Sequence, residues 1–176
     1  ALRGLKDDRV NAARAKLHQL LADEDDEGLL QVLQETSSFE EVSKDLNWER
    51  QQIYDGAGIV VSHAYIRDLW RVAEAEKGEA GASLKQSAVA FAVYAVAVTK
   101  VDGVRCADSA AAPYRSQQLL QDYPFIWTYG AGLKKPERDN IVAIGLVLEA
   151  LTSPVRKNDN LLCLGARTGR MVEMIE

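Results

Sequence analysis

Apolar residues recur along this chain at the three- and four-residue spacing of helices, not at the alternation of strands. Val10, Ala13, Leu17, Leu20 and Leu21 share one such face and predict a helix from Asp8 to about Leu21, capped by Asp7 or Asp8. The acidic stretch Asp23 to Glu27 reads as a turn that opens a second short helix carrying Leu29, Leu30, Val32 and Leu33. Ser38 and Glu41 have capping-box spacing and start a third helix, with Phe39, Val42, Leu46, Trp48 and Ile53 as its contacts, reaching about Tyr54. Asp55-Gly56-Ala57-Gly58 stops it. A fourth helix from Ile59 to about Glu76 carries Val60, Tyr65, Ile66, Leu69, Trp70 and Ala73.

Lys77 to Ala82, rich in Gly and Glu, reads as an exposed loop before Ser83 caps a fifth helix, Leu84 to about Val101. That helix is apolar on every side from Ala88 to Val98, which marks a buried central element. A short helix around Pro113 to Asp122 follows. A further one, Pro136 to about Leu151, has proline in its first turn and an apolar stripe of Ile141, Ile144, Leu148 and Leu151. A terminal helix begins near Asn160 or Gly165 and carries Met171, Val172 and Ile175. No turn signal joins two alternating apolar runs. The expected fold is therefore all-α: an irregular bundle of about eight helices in one domain spanning 1–176, built on two central apolar helices. Phe91, Val98, Ile144 and Leu148 are expected in its core.

Composition leaves that picture intact and narrows the function. With 176 residues the chain can bury a core without a metal or a bridge to help it. A net charge of −5 and scattered basic pairs such as Arg67/Arg71, Lys134/Lys135 and Arg156/Lys157, read as solvated helix faces and ends, argue against nucleic acid as the partner. The most apolar run, Ala88 to Val98, falls short of the roughly 20 residues a bilayer requires. The chain begins at Ala1, so an upstream signal peptide, membrane anchor or tag is expected. Two histidines and two cysteines without C-x-x-C spacing predict no metal site, and no cofactor motif is complete. Cys106 and Cys163 both lie beside helix ends, where a disulfide is easily closed; two buried free thiols are the alternative.

Candidate chemistry is sparse. Ser62-His63, with Asp55 and Asp68, has the residue types of a hydrolase but no nucleophile elbow, so His63 is expected to be a partly buried histidine with one satisfied nitrogen. Gly56-Ala57-Gly58 lacks the third glycine and the preceding strand of a dinucleotide fingerprint. The acids Asp23 to Glu27 lack the glycine and alternation of a calcium loop. Gly165 to Arg170 could seat an anion on backbone N–H groups or simply cap a helix. Tyr123, Phe125, Trp127 and Tyr129 concentrate aromatic area in a chain with only 7% aromatics. They form either a core anchor between helices, the favoured reading, or the surface that binds a partner.

Two stretches resemble known groups. Leu2-Arg3-Gly4-Leu5, then Asp8 to Ala12 and Lys16-Leu17, resembles the start of uncharacterised bacterial exported or membrane-tethered proteins. Gly103 to Cys163 is similar to small periplasmic helical immunity proteins in its cysteine after a glycine, Tyr123-Pro124, the LVLEAL of Leu146 to Leu151 and the final cysteine. The resemblances imply a periplasmic or envelope location, with the cytoplasm as alternative. The first resemblance carries no known activity; with no catalytic motif complete, the leading expectation is a non-catalytic role through contact with another protein, and the second resemblance adds an immunity-type inhibitor as an alternative. An enzyme whose site assembles only in three dimensions is the contrasting expectation.

Overall fold

The computed structural model describes residues 8–35, 39–156 and 159–163, and within them the elements the apolar spacing predicts are helical. The order is α1 (Asp8–Ala22), α2 (Asp26–Glu35), α3 (Phe39–Tyr54), α4 (Ile59–Ala75), α5 (Gly78–Asp102), a 3-10 turn (Gly103–Arg105), α6 (Ala111–Asp122), α7 (Pro124–Gly132), α8 (Lys135–Thr152) and α9 (Asn160–Cys163). There is no strand among the described residues. The fold is an all-α bundle. Ser38, Met171, Val172 and Ile175 lie outside the described residues.

α5 is the axial helix, flanked by α4, α6, α7 and α8. Ala88, Ala92, Tyr94 and Ala95 are completely sealed from water, and Phe91 packs edge-on against Tyr65 and Tyr94. The small side chains let neighbouring backbones come close, while the few large ones fill the gaps between them. The expected loop at 77–82 is absent. α5 begins at Gly78, with Glu79 in its first turn, and only Glu76 and Lys77 separate it from α4. Glycine permits that tight turn: Gly78 has φ +67°, and a Cβ on Gly81 would come within 2.5 Å of the Glu76 carbonyl oxygen.

So extended, α5 also revises the bilayer argument. It contains an 18-residue window of mean hydropathy 1.5, long and apolar enough by composition to cross a membrane, and 56% of that window is buried by the other helices. A core helix has this property too, because both a lipid bilayer and a protein interior select apolar side chains.

α8 is the element whose orientation departs from expectation. Ile141, Gly145, Leu148 and Thr152 face the core. Ile144 and Leu151, expected to face inward, are 43% and 64% exposed. The rotation follows from close approach: a Cβ on Gly145 would lie 2.8 Å from the Ala90 carbonyl oxygen and from a Val93 methyl of α5. A large residue there would force the helices apart, so the stripe carrying the glycine goes inside. Leu148→Ala and Phe91→Ala should therefore each cost about 2–5 kcal/mol in urea unfolding, whereas Ile144→Ala should cost under about 1 kcal/mol. Equal costs at 144 and 148 would refute this rotation of α8.

Candidate functional site

Polar groups sealed in the core come first, because burying them is expensive unless each has a role. At the lower end of α5 and α8, Arg156 is only 7% exposed, which corrects its expected place at a solvated helix end. Its guanidinium donates to both Asp102 oxygens (2.7 and 3.2 Å), to the Glu149 carboxylate (2.6 Å), to the Thr152 hydroxyl (2.7 Å) and to the Glu149 carbonyl (3.1 Å). Thr152 in turn reaches the Tyr94 hydroxyl at 3.3 Å. A planar five-donor fork is the side chain suited to such a junction. The cluster uses up its own donors and acceptors, and its chemistry is that of a fastener.

A second cluster lies between α3 and α4. Arg67 donates to both oxygens of fully buried Asp68 (2.8 and 2.9 Å) and to the Leu33 carbonyl at the end of α2 (3.0 Å). Glu49 is also fully buried beside Asp68, and among the described residues neither of its oxygens meets a hydrogen-bond partner. Burial, and next the Asp68 carboxylate beside it, hold the Glu49 carboxyl well above its ordinary range. His63 rests edge-on against Tyr123, and the Tyr123 hydroxyl donates to the His63 carbonyl (3.1 Å). The residue keeps slight exposure, and its Nε2 is sealed and, among the described residues, without a partner. Burial, with Arg115 nearby, lowers the His63 pKa to about 4.

The hydrolase residue types do not converge. The Ser62 hydroxyl donates back to the Gly58 carbonyl (3.1 Å), Asp55 accepts from Gln51 (3.0 Å), and Asp68 is held by the arginines. Gly56 and Gly58 serve the chain itself. Gly56 has φ +92°, and a Cβ on it would meet the Val155 carbonyl oxygen at 2.4 Å, while one on Gly58 would meet the Asp159 carboxylate at 2.2 Å. Asp159 accepts from the Ile59 N–H at the start of α4 (2.5 Å) and from the Leu162 N–H in α9 (2.9 Å), so one carboxylate satisfies two helix starts. A cleft of about 180 Å³ beside this junction is lined in part by Leu21, Leu29, Gln52, Asp55 and Asp159. In the acidic run, Asp25 accepts from the Gly28 N–H (2.9 Å) and caps α2. Gly165 to Arg170 lie outside the described residues.

Cys106 and Cys163 are joined, with Cα atoms 5.0 Å apart, tying α9 to the loop after α5. Tyr123 caps α7, and Phe125, Trp127 and Tyr129 lie on it. Tyr123 is buried and Trp127 and Tyr129 are half-buried. Trp70 of α4 receives Phe125 and Tyr129 at ring distances of 5.2 and 5.7 Å, with the Lys85 ammonium 5.2 Å above it. This is the geometry of an anchor between helices, and Phe125 alone shows a broad face to solvent.

The surface the sequence reading missed is on α8. From Val142 to Leu151 every outward residue is apolar: Val142, Ala143, Ile144, Leu146, Val147, Ala150 and Leu151. The one charged residue in that stretch, Glu149, is turned to Arg156. Val155, Val101 and Val104 are further exposed apolar residues. The signal was present, since this stretch is as apolar all round as the middle of α5, but it was read as burial. The chain matches none of the family models, curated proteins or solved structures with which it was compared.

Two predictions follow from the buried charges. Arg156→Ala should cost about 3–5 kcal/mol by stranding Asp102, whereas Lys135→Ala, which removes the exposed pair with Asp139, should cost under about 0.5 kcal/mol. A small loss at Arg156 would show that the cluster does not fasten the helices. Against pH, the neutral His63 contributes stability that is complete above 6.5 and is lost as pH falls toward about 4, at most about 3 kcal/mol. Glu49 has the opposite sign: its contribution is complete below the unfolded value of 4.5 and is lost as pH rises through its elevated folded pKa. In urea titrations across pH, Glu49→Gln should gain on the wild type above neutrality, and His63→Phe should flatten the acid limb. Unchanged slopes in both variants would contradict these assignments.

Proposed function

We propose that this protein is a non-catalytic helical interaction protein of an oxidising compartment, the bacterial periplasm or envelope, and that its contact surface is the outward face of α8. The observation that carries this reading is the apolar face itself. Exposed apolar residues scattered singly are ordinary, but Val142, Ile144, Leu146, Val147 and Leu151 are contiguous on one helix and each is more than two-fifths exposed. The aromatic segment is the lesser candidate, because Tyr123, Trp127 and Tyr129 spend much of their area on α4 and α5. The acids Asp55 and Asp159 of the cleft are committed to neighbouring groups, which favours a structural role there over a catalytic one.

The location rests on the Cys106–Cys163 bridge, since a persistent disulfide marks a compartment that keeps thiols oxidised. It closes a separation of 57 residues, for which chain entropy gives a stabilisation of roughly 4 kcal/mol. The test has two arms. Protein isolated from its native compartment and denatured without reductant should titrate no free thiol, and two free thiols would remove the envelope location. A photo-reactive residue at position 147 should give a discrete protein adduct in that compartment, and one at exposed Gln121 should not. Bridged, folded protein that yields no protein adduct at 147 would defeat the contact-surface reading.

A further inference from the structure

We propose that the partner of the α8 face is a second copy of this chain, with α8 packed antiparallel against its symmetry mate about a twofold axis beside Val147. This rests on α8 being a contact surface and goes on to name the occupant. Three features of the face lead to it.

The first is self-complementarity. In an antiparallel helix pair centred on Val147, residues whose numbers are equally far from 147 face each other. Ala143 then lies opposite Leu151 of the second copy, Ile144 opposite Ala150, and Val147 meets itself. Ile144 and Leu151 are each set against an alanine, so two identical helices can interlock at an axial separation of about 8–10 Å. The unrelated surface of a different partner would not require this internal matching.

The second is charge. Near a twofold axis any charged residue meets its own copy and is repelled. From Ile141 to Ala150 the sole charge on α8 is Glu149, and its carboxylate is held by Arg156 at 2.6 Å. The charged residues Lys134, Lys135, Glu137, Arg138 and Asp139 are gathered in the first turns, away from the axis, where they would form a polar rim.

The third is extent. The apolar side chains from Val142 to Val155 run along about 20 Å of chain at helical rise. They expose apolar surface on the order of several hundred Å². A twofold pairing covers the stripe of Ala143, Ile144, Val147, Ala150 and Leu151 on both copies at once and closes on itself.

The experiment is sedimentation equilibrium of the purified, disulfide-bonded full chain at micromolar concentration. The expected result is a dimer. Val147→Glu places two carboxylates at the axis and should raise the dissociation constant at least about 100-fold, with the helical circular dichroism unchanged. A position-specific arm guards against an indirect effect. Val147→Cys should be joined to its own copy by a short bifunctional thiol reagent. Ala143→Cys should be joined to Leu151→Cys in a mixture more readily than to itself. A monomeric wild type, a dimer indifferent to Val147→Glu, or a dimer without the 147 cross-link overturns the proposal. If the chain is monomeric yet gives a heterologous adduct at position 147 in its native compartment, self-association fails while the contact-surface reading stands. A monomer that instead sediments with phosphatidylethanolamine–phosphatidylglycerol vesicles through α8 refutes both.

Discussion

The Arg156 guanidinium sets the arrangement on which the outer surface depends. Hydrophobicity alone cannot choose the rotation of α8, because the helix is apolar nearly all round from Ile141 to Leu151. Burying Ile144 and Leu151 would remove more apolar area from water than burying Gly145 and Thr152. The choice is made by groups that must be satisfied or must fit. Arg156 can reach Asp102, Glu149 and Thr152 together only with Thr152 turned toward Tyr94 and α5. Gly145 gives the same answer through sterics, since only a residue without a Cβ fits against the Ala90 carbonyl. A buried ion cluster adds little net stability compared with apolar packing, but breaking it is costly, so its effect falls on specificity.

A second fastening acts on the chain beyond α8 and again uses one group for several demands. Asp159 satisfies N–H groups at the starts of α4 and α9 at once. Gly56 and Gly58 leave the space in which Val155 and Asp159 can dock. The disulfide holds α9 to the loop after α5 from the other side. In the described part of the segment after α8, Leu162 is buried and the charged Arg156 and Asp159 make the principal bonds. It is placed by directional bonds and a covalent link where apolar area is scarce, as small structures generally require.

These two fastenings also explain what could be read from the sequence and what could not. Helix positions followed from periodicity, because a core-facing stripe repeats whatever it packs against: α1, α4 and α8 end within two residues of their expected limits. The cysteine pairing followed from the positions of both residues beside helix ends. The glycine-rich stretch 77–82 was misread, because glycine marks both a loop and a close helix crossing, and only the Glu76 carbonyl lying over Gly81 separates the two. Glu49, Asp68 and Arg156 were illegible as buried groups, since a charge in a helical sequence is usually on a solvated face. The α8 surface was hidden for the converse reason. Apolar residues around a whole helix signify enclosure on every side, and the sequence does not state how many neighbours that helix has.

Set side by side, the interior and the surface invert the ordinary distribution of residues. Glu49, Asp68, Asp102 and Arg156 are inside, while Val142, Ile144, Leu146, Val147 and Leu151 are outside. Exchanging some of these would seem to favour the isolated chain, since an ion cluster can often be replaced by apolar side chains at no loss. The arrangement makes sense if α8 belongs to two cores. Its inner stripe of Ile141, Gly145 and Leu148 belongs to the bundle. On the proposal above its outer stripe would belong to an interface formed on association, and the placement of α8 by Arg156 and Gly145 would present that stripe without reordering on contact. A helix already fixed in its binding orientation loses little conformational entropy when it docks, so more of the gain from apolar burial remains as affinity.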